Sequence, residues 1–551
     1  MNETKHYYNI WTFFTISCLI FFLIFFLYPI STIFSESVIS NETGKLSLDA
    51  FSKFFKKKYY TSTILNSLSV TTVATFITMI IGSLLAYLMK TVKIKGKKII
   101  DVILLVSILS PPFIGAYSWI ILLGRVGIIT KFINSTFGLH YDGIYGFDGI
   151  LLVFVVKMVP LMCIFVSGAL KKLDSSLIEC SENLGCTGIK KMFRIVIPLI
   201  LPTVLSSSFL VFMRIFCDFG TPMLIGEGYR TIPVLIYNSF VGEASLDHSF
   251  AAAVSVIVIV FSAAIFIGQQ QITKRTTIEM NSLNPIQPIK KKGIYNIFAH
   301  LFTYIISLMA IVPLIVIVIQ SFKNTDGIIF YKGFSFDSYL MAFKNVGNAI
   351  ANTFVYSFIA MLFILVIGVL FSYVSVRKSN KLTEILDVII TIPYIIPGSV
   401  LGIALILGFN RRPIVLTGTV VIMVIAFIIR RITYTIRSSS SILKQMDPSL
   451  EEAGMSLGAN PMKAFWKVTF PVMIPGVISG ALISWMSIIT ELSSTVLLYN
   501  NRTQTMSIAI YQEVIRGNQG VACALTTILL ITTVIGLSLF FKVSGKKEIE
   551  L

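Results

Sequence analysis

With 551 residues, 55% of them hydrophobic and only 13% charged, the chain has too little polar surface to coat a water-soluble globule of its size. Its formal net charge of +19 comes in short clusters between long apolar runs. That is the pattern of membrane orientation signals and argues against a nucleic-acid partner. Lipid is therefore the expected solvent for most of the surface.

Apolar stretches of spanning length predict about twelve helices. They lie near 10–30, 63–89, 100–123, 148–170, 195–217 and 249–268, then 296–320, 350–376, 385–409, 414–436, 470–490 and 521–541. The first run, Ile10–Ile30, lacks a small-x-small cleavage site and reads as a retained helix. Lys and Arg gather in alternate loops, within 90–98, 171–194, 274–292, 377–381, 437–467 and 542–547. This bias places those loops and both termini on the cytoplasmic side. Loop 31–62 runs against it, carrying Lys45, Lys53, Lys56, Lys57 and Lys58 on the outer side. The 6 cysteines and 4 histidines form no ligand-spaced set, so neither a disulfide framework nor a permanent metal site is expected.

The chain repeats itself. At an offset of 286 residues Asn66 meets Asn352, Gly82 meets Gly368, Tyr87 meets Tyr373, Asp101 meets Asp387 and Pro111 meets Pro397. At an offset of 273, Asp174 meets Asp447, Glu179 meets Glu452, Gly185 meets Gly458, Pro198 meets Pro471 and Pro202 meets Pro475. The expected fold is an all-α integral membrane protein of two parallel repeats of about six spans each. The first repeat covers 1–268, a polar, basic cytoplasmic linker covers 269–295, and the second repeat covers 296–551. Two such repeats enclose a path between them.

One inner loop recurs in both halves, as LDSSLIECSENLGCTGIKKMFRIVIPLILP and MDPSLEEAGMSLGANPMKAFWKVTFPVMIP. Each reads as a short amphipathic helix, a Leu-Gly break, a second helical stretch and two prolines. Glycine permits the sharp change of direction, and Pro198 and Pro471 can begin or kink the following span. A rigid two-helix elbow joined to a span can turn a partner's closure into helix rotation.

These loops resemble the signature of membrane subunits of binding-protein-dependent ABC importers: Glu-Ala-Ala, three residues, Gly, nine residues, Ile-x-Leu-Pro. The second copy follows it at Glu452, Ala453, Gly454, Gly458, Val468, Phe470 and Pro471. The first follows at Glu179, Gly185, Ile195, Ile197 and Pro198, with Cys180 and Ser181 at the alanine positions. The resemblance implies that the loops seat in clefts of a separate ABC ATPase, as a pair of identical subunits. It also implies a periplasmic or lipid-anchored substrate-binding protein and a place in the bacterial cytoplasmic membrane. No Walker A pattern occurs in the chain, so ATP is expected to be used by that partner. No catalytic residue, metal ligand or cofactor is expected in the chain itself.

Lys157, Arg214, Arg430 and Arg431 fall inside spans, and Asp218 and Glu491 stand at the ends of matching spans. Intramembrane charges are costly and mark candidate pathway residues. Lys157 aligns with Arg430 and Asp218 with Glu491, so one cation–anion pair is expected inside each half, with Arg214 an alternative partner for Asp218 one turn away. The segments Asp218–Gly226 and Glu491–Tyr499 are similar to segments of ferric-iron-type fused permeases. Thiamine and aminoalkylphosphonate permeases remain alternatives, as does an ion-coupled secondary transporter using Asp218 and Glu491.

Overall fold

In the computed structural model the described residues are 2–39, 44–110, 112–138, 140–242, 247–276, 284, 286–290 and 292–544. Pro111 and much of the linker expected at 269–295 lie outside them. Among the described residues helices cover most of each expected span, though 100–123 holds two helices, Lys97–Leu109 and Pro112–Leu123, and 414–436 is helical only from Val420; the only sheet is the hairpin Lys323–Asp326 with Ile329–Phe334. Among the described residues ten helices are long and apolar enough to cross a membrane, and the bent pair Lys381–Ile395 and Gly398–Phe409 makes an eleventh. That pair turns by 112°. The break falls where Pro397 forces Ile396 into extended backbone, which ends the first helix. The 26-residue helix Val420–Gln445 is long enough to span but carries Arg430, Arg431, Arg437 and Lys444. Its arginines are answered inside the fold, Arg437 by Asp387 at 2.9 Å and the other two by Glu491.

The chain divides into two compact units that cut across the sequence repeat. One holds the described residues of 2–54, 236–256 and 322–544. The other holds those of 55–235 and 257–321. Each therefore takes its first long helix from the opposite half of the sequence.

In the second unit, Lys58–Thr91 packs along Gly146–Lys171, and Ile294–Ser321 lies on Lys97–Leu109 and Pro112–Leu123. Leu85, Leu88, Val159, Met162, Val166 and Ala299 are buried together there. A Cβ on Gly82 would stand 2.6 Å from Met162 Cβ, so only glycine allows this approach.

In the first unit, Asp337–Arg377 packs on Val420–Gln445 and Phe470–Ile489. The N-terminal helix joins this unit through Trp11, whose ring lies 4.7 Å from Tyr373 and 5.5 Å from Phe465, and through Phe25, 5.6 Å from Phe409. Gly368, the repeat partner of Gly82, meets Thr435, and a Cβ there would stand 2.9 Å from Thr435 Cγ2. Met162 and Thr435 are themselves 273 residues apart, so the same helix crossing is built twice.

Replacing Gly368 with leucine should force that crossing apart at a cost of about 2 kcal/mol. A lower thermal-unfolding midpoint in detergent reads the effect. Gly347→Leu is the control, because an added Cβ there meets nothing within 4 Å.

The lysine-rich loop 31–62 finds a local answer. Lys53 Nζ sits 2.6 Å from Asp247 Oδ2 and 5.0 Å from the Phe250 ring centre. Ser249 Oγ donates to Ile39 O at 2.7 Å.

Candidate functional site

The two recurring loops fold as elbows of the same design. Asp174 caps Ser175–Asn183 by accepting the Ser176 N–H at 3.0 Å, and Asp447 accepts the Ser449 N–H at 2.9 Å. These bonds hold the Asp447 carboxyl below the usual carboxylate range. Ser175–Asn183 and Ser449–Ser456 both end in a Schellman motif. Gly185, at φ +77°, donates to Glu182 O and Cys186 to Ser181 O. Gly458, at φ +88°, donates to Met455 O and Ala459 to Gly454 O. The left-handed backbone explains why both copies need glycine there.

A short helix follows in each copy, Gly188–Lys191 and Pro461–Ala464, and then one π-turn. The π-turns cover Met192–Val196 and Phe465–Thr469 and lead without a gap into Ile197–Phe216 and Phe470–Ile489. Pro198 and Pro471 stand in the first turn of those spans. Lacking an N–H, neither can bond four residues back, so the chain widens where the elbow meets the membrane helix.

Glu179, Glu452 and Ala453 are exposed on the elbows, and Gly454 is half-buried against Val468, where a Cβ would stand 3.1 Å from Cγ2. The most exposed large apolar residues at the bends are Leu184 and Leu457, at 87% and 90%. They are repeat equivalents that pack on almost nothing in their own chain. The Leu-Gly break was legible in the sequence; that its leucine points outward was not.

The elbows are anchored differently. In the second, Glu451 is buried and accepts from the Tyr373 hydroxyl and, at 3.1 Å, from Thr469 Oγ1. Ile178 occupies the equivalent place in the first. There Lys191 pairs with Glu182, and Ser175 N–H donates to Asn284 O of the linker at 2.8 Å. Glu451 was missed because it adjoins the motif glutamate, and sequence alone does not say which of two adjacent carboxylates turns inward. Tyr373→Phe leaves Glu451 short of a donor in a buried site and should cost about 1–2 kcal/mol. Faster proteolytic cutting of the 447–467 loop, with 174–194 unchanged, is the expected readout.

Of the intramembrane charges, Arg430 Nη1 and Glu491 Oε1 stand 2.9 Å apart. Arg431, which the sequence reading placed in no pair, holds the other oxygen. The Glu491 side chain is only 2% exposed. Gly398 makes room for this cluster, since a Cβ there would fall 1.8 Å from Arg430 Nη1.

The corresponding pair in the first half is not closed. Lys157 Nζ is buried without a hydrogen-bond partner among the described residues. Aspartate is one methylene shorter than glutamate, and Asp218 Oδ1 is turned to the Thr221 N–H at 2.8 Å. Glu491 does the same to the Ser494 N–H at 3.2 Å and holds both guanidinium groups. Arg214 sits half-buried in the last turn before Asp218.

The repeat-matched asparagines latch the loops beyond these charges. Asn66 Nδ2 donates to Arg230 O at 3.1 Å, and Ser67 Oγ accepts the Ile232 N–H at 2.8 Å. Asn352 Nδ2 donates to Arg502 O and Gln504 O at 2.8 and 3.0 Å, and Thr353 Oγ1 accepts the Met506 N–H at 2.7 Å. These latches set two short apolar helices, Ile232–Val241 and Met506–Ile515, in segments expected to be simple loops. Among the described residues no three His, Cys, Asp or Glu converge so as to hold a metal ion.

Two repeats of membrane-spanning helices, each with a capped elbow running straight into a span, define a double-length transport permease. The chain belongs to the family of binding-protein-dependent transport system inner membrane components, whose profile matches residues 78–278 and 364–544. The chain is similar to the ferric transport system permease protein FbpB of Actinobacillus pleuropneumoniae, 27% identical over 549 residues that cover 96% of this chain and 77% of the relative. A putative ferric transport system permease protein FbpB 1 of Haemophilus influenzae is 26% identical over 514 residues, covering 89% and 78%. The putative 2-aminoethylphosphonate transport system permease protein PhnU of Salmonella typhi aligns with 46% of this chain and 88% of its own length at 24% identity. The chain is thus a fused permease subunit of an ABC importer, a multi-pass inner-membrane component and not an enzyme. That membership removes the ion-coupled secondary transporter from consideration.

Proposed function

We propose that this permease forms the membrane path of a ferric iron importer. A pair of ATPase subunits seats on the elbows at 174–198 and 447–471, and a periplasmic or lipid-anchored binding protein delivers the cargo. The chain has no cofactor of its own, and ATP is used by the partner. The elbows and both termini face the cytoplasm, as the lysine and arginine bias requires.

The observation that carries the coupling role is the pair of equivalent elbows, each presenting an exposed leucine at its bend and each continuous with a span. The ferric cargo is supported by the two FbpB relatives, which align along most of the chain. A second reading, 2-aminoethylphosphonate, is supported by a relative that aligns with one half only.

Uptake by a strain lacking this chain tests the cargo. Radiolabelled ferric iron uptake should fall to background and return on complementation. Unchanged iron uptake, with 2-aminoethylphosphonate or thiamine uptake lost, would reassign it.

A further inference from the structure

In the second half one side chain ties a span to the base of its elbow. Arg377, the last residue of Asp337–Arg377, donates from Nη2 to Met446 O at 2.8 Å, next to the capping Asp447. The repeat equivalent of Arg377 is Thr91, the last residue of Lys58–Thr91. Its short side chain turns back on its own helix, Oγ1 donating to Tyr87 O at 2.7 Å.

The first half makes the tie with linker backbone instead. Ile289 N–H donates to Thr91 O at 3.0 Å, and Ile289 O accepts the Lys93 N–H at 3.1 Å, which forms a parallel bridge between Val92 and Ile289. Earlier in the linker, Asn284 O accepts the Ser175 N–H at 2.8 Å at the base of the first elbow. Between these bonds Ile286 packs on the buried cluster that includes Leu85, Leu170, Leu173 and Val196. The linker thus joins the same two points, span end and elbow base, that Arg377 joins in the second half. The helix after the linker, Ile294–Ser321, grips the same loop: His300 Nε2 accepts the Lys95 N–H at 3.2 Å, and Tyr304 Oη donates to Lys95 O at 3.1 Å. All of these first-half and linker residues lie in one compact unit.

The repeat also shows that an elbow of this design folds without the Ser175 bond. Ser175 answers to Pro448 at the offset of 273. Proline has no N–H to donate and suits the start of a helix. The first elbow keeps a donor that the second lacks and directs it to the linker.

We propose that Asn284 and Ile289 are positioning residues of the first elbow, forming a strut that fixes it to the span Lys58–Thr91 so that the two move as one body. The linker is then a working part of the coupling and not only the covalent join between the halves. This role rests on the reading that an ATPase seats on the elbows; the strut itself does not.

The test uses the permease assembled with its ATPase in proteoliposomes, with the binding protein purified carrying its cargo. Ser175→Pro/Ile289→Pro removes the N–H groups given to Asn284 and Thr91. It should keep its ATPase at wild-type stoichiometry and its KM for ATP, while the kcat of hydrolysis stimulated by the binding protein falls about tenfold. Ser175→Ala/Ile289→Val keeps both N–H groups and should match the wild type. A proline variant that retains its ATPase and is stimulated like the wild type overturns the coupling role.

Hydrogen exchange on the wild-type complex needs no variant. N–H groups in the first turn of a helix have no partner within it, so slow exchange at Ser175 reports the linker bond alone. Ser175 and Ile289 should exchange at least about tenfold slower than unbonded amides. Exchange at the unbonded rate overturns the strut. If Leu184→Asp/Leu457→Asp keeps its ATPase, the docking reading fails and the coupling role with it. The exchange measurement does not depend on docking, so it separates that failure from failure of the strut.

Discussion

Replacing Leu184 and Leu457 together with aspartate should leave the permease folded in the membrane and strip it of its ATPase. Both leucines are almost fully exposed at the elbow bends. Neither supplies the apolar contact that accompanies a Schellman motif, which joins the residue after the glycine to the third helical residue from the end. Their removal therefore takes little from the fold. Burying a leucine in a partner's cleft is worth about 1.5–3 kcal/mol, and an aspartate in its place adds a desolvation cost. Each elbow should lose about a hundredfold in affinity, and losing both removes the avidity of two-point attachment as well. Co-purification from detergent reads the result, with uptake abolished and the unfolding midpoint unchanged. The single variants should fall between the double variant and the wild type. A double variant that keeps the ATPase at wild-type stoichiometry would sink the docking assignment.

The largest effect on stability should come from Glu491→Gln. The carboxylate is almost completely buried and holds Arg430 and Arg431 at once. Removing its charge leaves two guanidinium groups buried without an anion, which costs about 3–5 kcal/mol. Gly398→Ala should approach the same loss by another route, because the new methyl occupies the place of Arg430 Nη1 and drives that group off Glu491. Arg430→Met/Arg431→Met/Glu491→Leu should recover most of the stability, since replacing all partners with apolar groups of similar volume leaves no orphan charge. Unfolding midpoints in detergent give the order wild type, triple variant, Gly398→Ala, Glu491→Gln. If Glu491→Gln unfolds with the wild type, the cluster does not hold this half together.

The aspartate–lysine match in the first half shows where aligned charges mislead. Lys157 and Asp218 align with Arg430 and Glu491, yet only the second set closes. Lys157 Nζ makes no hydrogen bond among the described residues, while Glu491 caps a turn and holds two arginines at the same time. Alignment carries residue type, and reach depends on geometry. The matched asparagines illustrate the opposite case. Asn66 and Asn352 stood out as a repeat pair without a role, and the structure makes both latches for the loops after the charged turns.

The sequence alone determined that the chain lives in lipid, that its spans recur in two copies and that each copy carries an elbow bent at glycine. Those features follow from local properties: apolar length, turn chemistry at Gly185 and Gly458, and residues matched at fixed spacing. Only the tertiary structure decided that each compact unit takes its first helix from the other half and that Glu451 turns inward while Glu452 turns out. These depend on which surfaces come together across hundreds of residues, and an apolar helix face carries almost no record of its partner. In lipid every such face is equally willing to be buried, so close steric fit at glycines such as Gly82 and Gly368, and the few polar groups that must find partners, make the choice.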